Sequence, residues 1–193
     1  MKKLNLFFIL AVTLCITAGC EKDNRNGGSL KIEAKVVNGN DYNNLIDEVR
    51  VITTHIFYPW YEVQPTEIVT CKYNNGGFTL TLPKKIIESA YTFIRDGQTS
   101  MTASIHANFY AYKNNECVGE FAYCSLDSNY VVRYFYAFKD GDEPISFFEH
   151  LSGIVLKFKK GWNTVYFSKY TQYGYDPHSE KPNVELNWYF IPN

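Results

Sequence analysis

The sequence predicts an all-β fold, an antiparallel sandwich of two sheets, and two features carry that reading. Beyond residue 29 the apolar residues recur with a period of two far more often than 3.6, and asparagine- and glycine-rich turns separate the alternating runs. No segment sustains the pattern of a long amphipathic helix, so the crossovers of a parallel α/β sheet have nothing to be built from. With 46% hydrophobic and 17% aromatic residues in 193, the chain has ample material for a core, which excludes a disordered polymer. A formal charge of −1 leaves no basic excess for nucleic acid, and none is expected as a partner.

The chain opens with Lys2 and Lys3 ahead of an apolar run from Leu4 to Ile16, broken only by Asn5 and Thr13, and then the small residues Thr17, Ala18 and Gly19. That run of about 13 residues is too short for a hydrocarbon core that takes about 20, so residues 1–19 read as a cleaved signal peptide. Thr17-Ala18-Gly19-Cys20 resembles the lipobox of bacterial lipoproteins, with Thr17 where Leu is usual. The resemblance implies cleavage before Cys20 and acylation of its thiol, which makes the membrane a partner through buried acyl chains. Residues 20–28 are then the lipidated cysteine and a polar, glycine-bearing tether, and 29–193 a single domain. Glu21 and Asp23 resemble the acidic tag that directs some Bacteroidota lipoproteins to the outer face. The expected address is the outer membrane, at the cell surface, with a periplasm-facing orientation as the alternative.

Strands follow in order. Leu30, Ile32, Ala34 and Val36 alternate with Lys31, Glu33 and Lys35; Phe78, Leu80 and Leu82 alternate with Thr79 and Thr81; Val184, Leu186, Trp188 and Phe190 alternate with Glu185, Asn187 and Tyr189. Weaker candidates are 48–57, 67–73, 101–112, 117–124, 130–138, 153–159 and 162–169, which makes about ten strands in all. Gly76-Gly77 supplies positive φ before a half-buried strand, Pro83 ends that strand, and Gly161 turns the chain to bury Trp162. Residues 83–88 are expected to make a helical turn or two, with Pro83 at its first position. A turn at Asn114-Asn115 would set Lys113 opposite Glu116, Tyr112 opposite Cys117, Ala111 opposite Val118 and Phe109 opposite Glu120.

Several stretches resemble a set of small Bacteroidales lipoproteins without assigned activity: the lipobox ending in Cys20, residues 75–83 (NGGFTLTLP), Ala111-Tyr112-Lys113 with 118–121 (VGEF), and 156–166 (LKFKKGWNTVY). The resemblance implies an immunoglobulin-like or transthyretin-like β-sandwich on a lipid anchor, and it transfers no catalytic residue.

The side chains that carry chemistry are scattered. Cys71, Cys117 and Cys124 remain once Cys20 is committed to lipid, an odd number with no CxxC or Cys/His set among them. Cys117 and Cys124 share one strand and lie roughly 23 Å apart if extended, which leaves Cys71 with either as the pairing open to an exported protein, or three buried free thiols. His55, His106, His150 and His178 show no metal-site spacing, and no GxSxG elbow or phosphate-cradling loop is present. No catalytic, metal or cofactor residue is therefore expected.

Of 33 aromatic residues, 31 lie beyond the export segment, where strands use them for packing. Two clusters sit in apparent loops: Phe57-Tyr58-Pro59-Trp60-Tyr61, bounded by prolines, and Tyr170, Tyr173 and Tyr175. Tyr58, Trp60 and Tyr61 are the candidate ligand platform, because exposed rings stack on sugars or anchor a protein at low entropic cost. The expected role is a lipid-anchored, non-catalytic binding or structural module of the cell envelope, with a glycan or protein as its ligand. The alternatives are a fimbrial or surface-assembly subunit that exchanges its last strand, and an envelope hydrolase.

Overall fold

The structure, a computed structural model, describes residues 28–54, 65–86, 92–95, 98–101, 104–144, 155–171 and 174–193. In chain order the strands are β1 (Leu30–Lys35), β2 (Glu48–Thr54), β3 (Thr66–Lys72), β4 (Gly77–Leu82), β5 (Thr92–Arg95), β6 (Gln98–Met101), β7 (Ser104–Lys113), β8 (Glu116–Cys124), β9 (Tyr130–Ala137), β10 (Gly141–Pro144), β11 (Val155–Phe158), β12 (Gly161–Thr171), β13 (Gly174–His178) and β14 (Asn187–Pro192). A single 3-10 turn, Gly39–Tyr42, joins β1 to β2. The fold is an all-β antiparallel sandwich, as the alternation requires.

The large sheet runs β13-β12-β9-β8-β7-β2-β3, with β14 paired along β8. A second layer, the β1–β4 pair, lies over it and meets β14 through the bridge between Val36 and Trp188. Between these layers sits the main core: alternate residues of β1 and β4, Val49 and Val51 of β2, Ile105, Ala107 and Phe109 of β7, and Trp188 of β14. Rings meet here edge on, Phe78 with Trp188 at 5.3 Å and Phe109 with Trp188 at 5.2 Å.

β9 and β12 are buried on both faces. Tyr134, Tyr136, Trp162 and Tyr166 point into the main core, whereas Phe135, Ala137, Val165 and Phe167 point the other way into a smaller one that Leu156 and Phe158 of β11 cover. The β10–β11 ribbon is thus a third, small layer on the outer face. Residues 130–138, a weaker candidate than the alternating runs, are an almost unbroken apolar stretch that supplies both cores.

Two sequence motifs prove to be one contact. β4 ends at Leu82 ahead of Pro83, and the Pro83 carbonyl accepts the indole N–H of Trp162 at 2.9 Å, while the Tyr136 hydroxyl donates to the next carbonyl, Lys84, at 3.2 Å. Gly76 and Gly161 take φ of 75° and 102°, as their turns demand. Lys84 to Ile86 are not helical, which corrects the expected helical turn in its described part: two ring donors hold these carbonyls across the sandwich instead of an i→i+4 ladder.

The β7–β8 hairpin follows the expected register only beside its turn. Asn114 and Asn115 have φ of 51° and 68°, the two positive values a tight hairpin turn needs, and Lys113 faces Glu116 and Tyr112 faces Cys117. Beyond that a β-bulge at Val118 sets Ala111 opposite Gly119 and Phe109 opposite Phe121. Unbroken pairing would have put Glu120 into the core beside Phe109, so burial of Phe121 outweighs the simpler register. Gly119 is the residue that permits it: its φ is 156°, and a Cβ there would strike the Ile191 carbonyl of β14. The last strand also starts later than its alternation suggests, at Asn187 rather than Val184, and Tyr170 and Tyr175 belong to β12 and β13 rather than to a loop.

Candidate functional site

Among the residues expected to carry function, Cys20, Tyr58, Trp60 and Tyr61 lie outside the described residues, as do Phe57, Tyr173, His55 and His150. What the described chain brings together instead is a surface groove between the β8–β9 turn and the segment entering β14. Ser125, Leu126, Asp127, Tyr130, Val184 and Glu185 line it, around about 350 Å³.

The turn is braced from within. Ser125 Oγ donates to Asp127 Oδ1 at 2.5 Å, Asn129 N donates to the same oxygen at 3.0 Å, Asn129 Nδ2 donates to Oδ2 at 2.5 Å, and the Ser125 N–H reaches the Tyr130 carbonyl at 2.9 Å. These donors, the Ser125 hydroxyl first, hold the Asp127 carboxyl below the usual carboxylate range. With the turn so fixed, Leu126 is held out at its tip, 84% exposed, beside the partly exposed Val184. The carboxylates of Asp127 and Glu185 that flank these apolar groups accept bonds from their own neighbours, Glu185 from Asn187 Nδ2 at 3.1 Å. Sequence reading missed this site because its halves are over fifty residues apart; the only local signal was a leucine set among polar turn residues, Ser125 to Asn129.

Two polar clusters beside the β7–β8 turn are internally satisfied. Arg50 reaches Glu48 and, at 2.6 Å, Asn115 Oδ1, and stacks over Tyr112 at 4.1 Å. The Lys113 amine turns to Asp47 at 2.7 Å rather than to its cross-strand neighbour Glu116, and lowers the pKa of that carboxyl together with the Asn114 N–H. Such surface pairs hold the hairpin to β2 and add little to stability.

The histidines and thiols sort by burial. His106, on the outer face of β7, stacks on Phe135 at 5.4 Å, and burial, with Arg133 adding repulsion, pushes its pKa down to about 3. His178 Nε2 lies 2.6 Å from Ser168 Oγ on the exposed β12–β13 ladder, where Asp176 is opposite Ser168.

Cys71, Cys117 and Cys124 are free thiols. The open pairing of Cys71 with a β8 cysteine is corrected by register: Cys71 lies beside Val49, Val49 beside Ala111 and Ala111 beside Gly119. Three strand spacings, about 14 Å, separate Cys71 from β8, twice the reach of a disulfide. Burial first, then the Glu48 charge, raises the Cys71 pKa to about 11. Among the described residues no group of three or more His, Cys, Asp and Glu is arranged to hold a metal ion, and no helix is long and apolar enough to cross a membrane.

The fold and groove define a β-sandwich with an open surface cleft. In comparisons with family models, curated proteins and solved structures, nothing matches the chain.

Proposed function

We propose that the chain is a lipid-anchored β-sandwich of the cell envelope, held at the outer membrane through acyl chains on Cys20, that acts as a non-catalytic binding or structural module. One observation supports this most: β1 begins at Leu30, ten residues past Cys20, and Leu30, Ile32 and Ala34 are part of the main core. Ten residues span at most about 35 Å however they are arranged, so an acylated Cys20 would hold the whole domain beside the bilayer. The resemblance of the Cys20 region and of the KKGWN and GGFTLTLP pieces to small Bacteroidales lipoproteins points the same way.

For the binding element, the described aromatic residues weigh on the choice. Tyr73, Phe78, Phe109, Phe121, Trp162 and Trp188 are spent on the core; Tyr58, Trp60 and Tyr61, beside Pro59 and ahead of Pro65, are the proposed platform for a glycan or protein. Mass spectrometry of the mature N-terminus should find an acylated Cys20, and an unmodified residue would overturn the anchor. Trp60→Ala should abolish retention on a glycan array with little change in melting temperature; unchanged retention would overturn the glycan platform.

A second reading, an assembly subunit that exchanges its last strand, is favoured by the position of β14. It lies near the C-terminus, pairs along β8 on one side, and meets β1 on the other through the Val36–Trp188 bridge. Gel filtration of the native protein that gives only monomer would rule this reading out.

A further inference from the structure

We propose that the end of the sandwich around the Ala137–Gly161 pair is a docking surface for anionic phospholipid headgroups, which orients the domain on its own membrane. The proposal rests on the lipid-anchor reading above for its orientation. Six lysines gather at this end from three parts of the chain: Lys84 and Lys85 after β4, Lys139 after β9, and Lys157, Lys159 and Lys160 around the end of β11. All six are exposed.

Their proximity follows from contacts already described. Ala137 pairs with Gly161, so Lys139 and Lys160 leave the same point of the sheet, and the Lys160 N–H donates to Asp140 Oδ1 at 2.6 Å. The Tyr136 hydroxyl and the Trp162 indole, flanking that pair, hold the carbonyls of Lys84 and Pro83. Lys157 belongs to the β10–β11 ribbon, in which Gly141 is opposite Phe158 and Asp142 opposite Lys157. The acids from these elements are Asp140, Asp142 and Glu143, three against six lysines, and Lys31 nearby is engaged by Glu33. A mature chain with a net negative charge thus keeps a local positive excess here.

Chain entry falls at the same end. Leu30 pairs with Leu82, the residue before Pro83, so the tether from Cys20 joins the domain beside Lys84 and Lys85. Basic side chains gain from an anionic surface only within about a Debye length, 8 Å at physiological salt, and the tether's reach of about 35 Å leaves room for the lysines to arrive there. Anionic phospholipid is the occupant that both the charge and the entry point select.

The test uses the lipidated protein on vesicles of phosphatidylcholine, with and without phosphatidylglycerol, and a membrane-impermeant amine-acylating reagent read by mass spectrometry. Lys84, Lys139, Lys157, Lys159 and Lys160 should label at least about threefold more slowly on the anionic vesicles at low salt, an effect that high salt removes. Lys72 and Lys169, at other parts of the sheet, should label equally on both. Equal labelling of the lysine cluster on the two vesicles, with Cys20 acylated, overturns the docking surface and leaves the anchor standing. If Cys20 proves unmodified, the anchor fails, and the surface is then judged by co-sedimentation of the same protein with anionic vesicles. Sedimentation that drops about tenfold in Lys157→Glu/Lys159→Glu/Lys160→Glu, but not in Lys72→Glu/Lys169→Glu, supports the docking surface; equal losses in both variants, or no sedimentation, overturn it.

Discussion

Acidification should destabilise this protein through a single imidazole. His106 is buried on the outer face of β7 against Phe135, and its pKa falls to about 3, first through burial and then through Arg133. In the unfolded chain the same group takes up a proton below about pH 6.5, while the folded state refuses it until about pH 3. A folded pKa below the unfolded one means that the stability is fully present above pH 6.5 and is lost as the pH falls toward 3. Each pH unit within that window costs about 1.4 kcal/mol, so by pH 4.5 the loss is about 3 kcal/mol, a large share of an ordinary domain's stability. Asp47 and Asp127, whose pKa values are lowered, add their own losses only nearer pH 4 and below, so among the described groups with shifted values the range from pH 7 to 4.5 isolates the imidazole. Urea unfolding followed by tryptophan fluorescence, at several pH values in this range, measures the slope. His106→Leu should flatten it, whatever the variant's stability at pH 7. Identical slopes in the two proteins would refute the reasoning.

Other expectations follow from single contacts. Trp162→Phe removes the indole donor to the Pro83 carbonyl and should cost about 1–3 kcal/mol in chemical denaturation, since that carbonyl is left without its ring partner. Gly119→Ala drives a Cβ into the Ile191 carbonyl; β14 should detach at its C-terminal end, with a loss of at least about 2 kcal/mol and faster amide exchange from Tyr189 to Ile191. Thiol labelling of the native protein at pH 8 should modify the exposed Cys117 within minutes and leave Cys71 and Cys124 until the chain unfolds, because burial raises the pKa of both. Rapid labelling of Cys71 would contradict its packing against the main core from β3.

Strands with one wet face announced themselves, because alternation is a direct imprint of the pleat. Leu30 to Val36 and Phe78 to Leu82 were read almost to the residue. β10 and β13 were not visible: GDEP and GYDPH are short, polar and carry a proline, and they hold as strands only because β11 and β12 supply a partner. Burial of β9 and β12 on both faces depends on the β11 cover, which no local pattern reveals. The bulge at Val118 was hidden for a related reason, since the turn fixes register only near itself and the core decides it farther away. The groove and the lysine end are both long-range products, the first from 125–130 and 184–185 and the second from three separate stretches. The proposed lipid site at Cys20, by contrast, rests on local residues alone, because a peptidase reads only a few positions.

A domain of this size has two ways to hold itself together, disulfides or a large core, and the geometry shows why this one uses the second. Its thiols are kept apart by sheet order, Cys71 three strands from β8 and Cys117 seven residues along β8 from Cys124, so oxidation offers no staple without refolding. Aromatic burial takes that role. Trp188 is its centre, touching Phe78 and Phe109 edge on and stacking on Tyr123 at 5.1 Å, which joins β14 to both layers through one side chain. Side chains this large bury 150–250 Å² each, and at about 25 cal/mol per Å² one ring contributes about 4–6 kcal/mol of transfer free energy, as much as a disulfide of ordinary loop length. The β8 ladder and the ring of Phe190, which meets Tyr42 at 4.9 Å and Phe121 at 5.5 Å, seat the same strand beside that indole. Strand exchange through β14 would therefore have to unseat Trp188 and Phe190 and open the β8 ladder.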